Sequence, residues 1–193
     1  MHRNLPKSFI FIDKYSNKIF TNNSTKVAII YRNYGNERKE KELSKIAKAC
    51  KQKRFLLFVS NNIKLAIKFK ADGLYIPSFI KAKMYTNLEK KNLIILGSAH
   101  NQKEIFQKIS QRCDGIFLSP IFHINKRNTY LDLHKFNYLA NSNNIKFFAL
   151  GGINDDNICK LKLLSINGFG GITVFKKKPA YKRPVLLKNK FSF

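Results

Sequence analysis

The stretch FFALGGINDDNICKLKLL, from Phe147 to Leu164, decides how the rest of the chain is read. It opens on a continuous apolar run over residues 147–150, as expected of a strand buried on both faces. Gly151 and Gly152 break that run. Asn154 and Asp155 then offer a capped start to an amphipathic stretch over residues 155–164. Strand, tight turn and helix in that order make one β-α unit, and such units build parallel sheets.

Working outward, the same unit recurs along the chain. Apolar runs stand at residues 9–12, 27–31, 55–59, 73–76, 93–96, 115–118 and 171–175, which with 147–150 makes eight. Between them, residues 40–51 place Leu43, Ile46, Ala47 and Cys50 at helical spacing, and residues 62–70 do so with Ile63, Ala66 and Ile67. Residues 101–112 begin with Asn101 as cap and Glu104 three positions on. Residues 131–140 supply another helix, whereas residues 14–25 are Asn-rich and poorly helical. Eight units predict a single α/β domain over residues 1–193, a short (β/α)8 TIM barrel, with a doubly wound sheet as the alternative.

Composition narrows the classes of function. The 44% hydrophobic content with 17 Phe supplies a core and excludes a disordered chain. No apolar run approaches the roughly 20 residues that span a bilayer, and the basic start followed by alternation does not resemble a secretory signal. Cys50, Cys113 and Cys159 are odd in number and widely spaced, which fits a reducing cytoplasm. The net charge of +26 invites a nucleic-acid reading. Lys outnumbers Arg 30 to 7, however, and Lys, Asn and Ile make 73 of 193 residues, all with A/T-rich codons. The charge therefore argues for base composition more than for nucleic acid, and it would equally draw in phosphorylated small molecules. Oligomeric state is left open.

In a barrel the chemistry sits on the loops that follow the strands. Gly151 and Gly152 let a backbone approach a phosphate, with Phe175 and Lys176 following strand eight beside them. The plainer reading of the two glycines is a tight turn. Ser119-Pro120 must leave the sheet, and Asn125 and Lys126 lie on the loop beyond, where a cation could meet a phosphate or a leaving pyrophosphate. Ser98 ends strand five, and His100 reads more readily as a hydrogen-bonding or capping residue than as an acid. Arg32 ends strand two, and its fork suits a diphosphate. No nucleophile–base–acid triad and no metal-ligand cluster is visible.

Several of these segments, in this order, resemble the thiamine phosphate synthase family and its thiazole tautomerase (TenI-like) relatives. They are Ile30-Tyr31-Arg32-Asn33-Tyr34, Ser60-Asn61, Ala71-Asp72-Gly73-Leu74-Tyr75-Ile76-Pro77-Ser78, Gly97-Ser98-Ala99-His100-Asn101, Ser119-Pro120-Ile121-Phe122 with Lys126, and Ala149-Leu150-Gly151-Gly152-Ile153. The likeness covers about residues 8–176. It implies a synthase of thiamine biosynthesis that joins aminopyrimidine diphosphate to thiazole phosphate and releases pyrophosphate with Mg²⁺. It implies Arg32, Ser98 and Lys126 as catalytic residues, with Asn33, Ser60 and Asn125 beside them in substrate binding. Gly151, Gly152, Phe175 and Lys176 would line the thiazole-phosphate site. The family's metal carboxylates fall on Asn61 and near Ile80, and neither residue is acidic; Asp13 is the one evident acidic group near the mouth. The tautomerase base falls on Pro120, with His123 three residues on. A barrel that binds a phosphorylated ligand without synthase activity is the alternative.

Overall fold

The computed structural model describes residues 5–35, 39–82, 92–124 and 129–175. Eight strands form a closed barrel: β1 (Ser8–Ile12), β2 (Val27–Tyr31), β3 (Leu57–Ser60), β4 (Gly73–Ile76), β5 (Ile94–Ala99), β6 (Gly115–Leu118), β7 (Lys146–Ala149) and β8 (Gly168–Gly171). Each pairs in parallel with its neighbour, and Ser8–Ile10 of β1 closes the ring on Phe169–Gly171 of β8. The α-helices are α1 (Asn17–Asn22), α2 (Lys39–Lys53), α3 (Ile63–Lys68), α4 (Gln102–Ser110) and α5 (Asp132–Asn141).

The strands alternate between two cores because successive side chains point to opposite faces. Inside the ring stand Phe9, Phe11, Ala28, Ile30, Phe58, Tyr75, Leu96, Phe117 and Phe148. Outside it, residues such as Ile10, Ile29, Val59, Leu74, Ile95 and Leu118 pack beneath the helices. The interior is therefore aromatic, where barrels commonly use branched aliphatics. Phe9 meets Phe117 and Phe148 edge-on at centroid distances of 5.1 Å, an arrangement the ring quadrupoles favour. Rings this large need a small neighbour. A Cβ on Gly170 would stand 2.8 Å from the Phe11 ring.

One device recurs at the N-terminal rim. Asp72, Asp114 and Asn167 each stand just before an even-numbered strand and are each followed by glycine. The Leu57 amide donates to Asp72 Oδ2 at 2.8 Å, and the Asp72 amide donates back to the Leu57 carbonyl at 2.9 Å. Asp114 repeats this ring with Ile95, and Asn167 with Phe147. Amides at the strand starts, which the ladder leaves unpaired, thus find an acceptor. The pairs β3–β4, β5–β6 and β7–β8 are each fastened this way.

The cap expected at Asn101 is in place: Asn101 Oδ1 accepts from the Glu104 amide, and Glu104 Oε2 accepts from the His100 amide. The structure adds one at Asn62, whose Oδ1 accepts from the Leu65 amide. Three expectations need correction. Residues 14–25 do hold a helix, α1, because Ile19 and Phe20 are buried and Phe20 meets Phe55 edge-on, so packing outweighs poor propensity. The last strand lies at Gly168–Gly171 and not at residues 171–175; Thr173–Phe175 is a 3-10 turn. The amphipathic stretch over residues 155–164 forms a six-residue 3-10 helix, Ile158–Leu163. Asn154 Oδ1 takes the amides of Asp156 and Asn157 ahead of it, which diverts that backbone from an α-turn.

Candidate functional site

The strand ends open into a cavity of about 820 Å³ at the C-terminal mouth. It is lined by Arg32 after β2, Tyr75 and Ser78 at β4, Ser98 and His100 at β5, Pro120 after β6, Gly151 and Gly152 after β7, and Thr173 after β8. A second cavity of about 770 Å³ adjoins it and shares Phe11, Arg32, Tyr34 and Ile172. Asp13, Asn33 and Phe175 line this second space.

The residues expected from sequence are distributed as follows. Arg32, Ser98, Gly151 and Gly152 share the main cavity. Arg32 is half-buried, its guanidinium carbon 5.2 Å from the centroid of the Phe11 ring, a cation–π contact that holds the fork over the barrel's top layer. Ser98 is buried and hydrogen-bonded to Tyr75, whose hydroxyl is pushed up to about 12 chiefly by its burial. Ser60 approaches through Tyr34, the two oxygens 3.4 Å apart. Asn33 and Phe175 fall in the adjoining space, and Phe175 lies flat on Phe169 with centroids 5.6 Å apart. Asn125, Lys126 and Lys176 lie outside the described residues.

Gly151 and Gly152 have φ of 91° and 74°, the left-handed region that a side chain disfavours. A Cβ on Gly152 would also come within 2.6 Å of the Phe122 carbonyl oxygen. Both the turn and the close approach of the loop after β6 demand glycine here. The expected helix start does not follow directly, since the 3-10 helix begins six residues later at Ile158. Strand eight's displacement also brings Gly171, Ile172 and Thr173, and not Phe175, to the mouth beside these glycines.

Sequence reasoning missed three groups. Ser78 accompanies His100: Ser78 Oγ lies 3.1 Å from His100 Nε2, and His100 Nδ1 lies 2.5 Å from the Ser119 carbonyl oxygen. A carbonyl only accepts, so Nδ1 is the donor to Ser119, and in the neutral ring Nε2 accepts from Ser78. Tyr34 and Phe79, both exposed, meet edge-on at 5.6 Å across the mouth. Lys108 of α4 is fully buried beneath the loop after β4. His100 stood in the quoted motif, but its partners come from β4 and β6, which no local pattern brings together.

The residues at the expected metal positions do not fit magnesium. Asn61 has φ of 50°, donates its amide to the Tyr75 carbonyl and lines neither cavity. The Ile80 carbonyl oxygen is turned away toward Lys108 and Gln111. Asp13 stands on the adjoining space near Arg32, and its main-chain oxygen accepts from Asn33. Among the described residues no three His, Cys, Asp or Glu side chains are grouped to hold a metal. His123, exposed at the rim, lies edge-on to Tyr130, and Pro120 occupies the wall.

The ring and its mouth define a (β/α)8 barrel whose ligand space lies at the C-terminal ends of its strands. The family profile described as thiamine monophosphate synthase matches residues 22–175, and the chain belongs to that family. It is 35% identical to the thiamine-phosphate synthase of Prochlorococcus marinus subsp. pastoris (strain CCMP1986 / NIES-2087 / MED4) over 125 residues, 63% of this chain and 36% of that protein. The chain thus spans little more than a third of that relative's length. The thiamine-phosphate synthase of Clostridium perfringens (strain 13 / Type A) is 25% identical over 136 residues, 69% of this chain and 66% of that protein. In fold, the chain is similar to a thiamine phosphate pyrophosphorylase from Pyrococcus furiosus, with a TM-score of 0.73 and 20% identity over 90% of this chain and 89% of the other. No described helix is long and apolar enough to cross a membrane.

Proposed function

We propose that the chain is a thiamine-phosphate synthase, joining aminopyrimidine diphosphate to thiazole phosphate in the main cavity. The reading is carried by one juxtaposition: Arg32 and Ser98 share a single space with Gly151 and Gly152. A cationic fork with a hydroxyl suits a departing diphosphate, and main-chain amides in a glycine turn suit a phosphate monoester. In the reaction the bond from the pyrimidine methylene to the diphosphate oxygen breaks, and both electrons leave with pyrophosphate. The thiazole nitrogen then gives its lone pair to the methylene carbon. Arg32 and Ser98 meet the charge that grows on the departing oxygens. Lys126, Asn125 and Lys176 would add cations and donors from the loops after β6 and β8. The aromatic wall of Phe11, Tyr75 and Tyr34 shelters the methylene cation from water. The three free cysteines support a cytoplasmic setting.

A second reading is favoured by the metal positions. A barrel with Asn61 and Ile80 in place of carboxylates could hold thiazole phosphate without releasing pyrophosphate. One calorimetric series separates the two, using thiazole phosphate, pyrimidine diphosphate and thiamine phosphate with and without Mg²⁺, followed by product analysis. Binding of both substrates with formation of thiamine phosphate is expected. Binding of thiazole phosphate alone would replace the synthase with the binder, and binding of neither would end both readings.

A further inference from the structure

Lys108 is an unusual lysine. It lies on α4, beneath the barrel mouth, with no exposed surface, and its stem crosses Gly97 of β5 so closely that a Cβ there would meet its Cδ at 2.9 Å. Its ammonium donates to the carbonyl oxygens of Pro77 and Ile80 at 2.8 and 2.9 Å, and to Gln111 Oε1 at 2.9 Å. Gln111, equally buried, donates onward to the carbonyls of Ile80 and Ala82. Burying an ammonium is costly unless its hydrogens are satisfied, and here three neutral oxygens meet the three donors. Burial holds this amine down at about 8.

What the cation fixes is the loop after β4. Between the two carbonyls it grips lie Ser78 and Phe79, which face the cavity and meet His100 and Tyr34. We propose that Lys108 is a positioning residue of the mouth: acting through the main-chain oxygens of Pro77 and Ile80, it sets Ser78 against His100 and Phe79 against Tyr34, and thereby shapes the side of the cavity that takes the diphosphate. The proposal rests on the synthase reading for its ligand, while its effect on the loop does not depend on any ligand.

The test uses the full chain and the Lys108→Met variant, which keeps the stem's length and removes the donors. Two measurements are made. The first is the ¹⁵N spectrum of the His100 ring without ligand, assigned with a His100→Asn variant. The second is the affinity for pyrimidine diphosphate and for thiazole phosphate. In Lys108→Met the His100 Nε2 resonance moves as Ser78 withdraws. Diphosphate affinity falls at least tenfold, and thiazole-phosphate affinity stays within twofold, because that phosphate sits on the loops after β7 and β8. Should Lys108→Met fail to fold, Lys108→Gln is measured the same way, since it keeps a polar head beside Gln111 but has one donor fewer and a stem one atom shorter than the ammonium that grips Pro77 and Ile80. An unmoved His100 spectrum in the folded variant overturns the proposal, as does equal weakening of both ligands. If the unmodified chain binds neither compound, the synthase reading fails by itself and the His100 spectrum still decides Lys108.

Discussion

At the scale of single residues, Asp114 shows how much rests on one acceptor. Replacing it with Ala leaves the amide of the buried Ile95 without a partner, a loss of about 1–3 kcal/mol. Asp114→Asn keeps an acceptor and should recover most of that loss; urea midpoints at constant slope compare the two. Gly152→Ala meets two obstacles, a φ of 74° and the Phe122 carbonyl 2.6 Å from the new Cβ. It should weaken thiazole-phosphate binding at least tenfold and lower stability by about 1–3 kcal/mol. Gly35→Ala is the control, since nothing lies within 4 Å of its Cβ position. That change should stay within about 0.5 kcal/mol.

At the scale of elements, the helices hide two thiols. Cys50 on α2 and Cys113 just beyond α4 are buried, and burial pushes each up to about 12 from an ordinary value of 9.0. Between those values the unfolded chain releases two protons that the folded chain keeps, so stability falls as pH rises above about 9. Lys108 acts in the opposite sense from about 8 upward, but one amine opposes two thiols and the raised hydroxyl of Tyr75. Melting temperatures at pH 8 and pH 10 should show the net loss, and Cys50→Ala with Cys113→Ala should flatten it. In the native chain a thiol reagent should label Cys159 alone, with all three cysteines reacting in denaturant. Elements were also where sequence read best. Long apolar runs, helical spacing and the cap at Asn101 located strands and helices, because periodicity and capping are local. Strand eight was misplaced because Gly168-Phe169-Gly170-Gly171 is small where its neighbours are aromatic, a fit that exists only in the closed ring. Ser78 and Lys108 were invisible for the same reason, as their partners come from other elements.

At the scale of the whole molecule, the chain carries a net charge of +26, and the proposed reading brings anions to its mouth. The association rate of a fluorescent pyrophosphate analogue should fall several-fold between about 20 and 300 mM salt, as screening shortens the reach of the field. The dissociation rate should change little, and stopped-flow traces separate the two. The paired Asx rings at the rim bear on assembly as well as on stability. Each ties a strand to the next one in the chain, at the cost of closing a short loop. The β1–β8 contact joins the most distant segments, and at the rim the Phe169 amide donates to the Lys7 carbonyl. Loop-closure cost then predicts an order of events: the three clasped strand pairs should form first, and the ring should be hooped last, between β8 and β1.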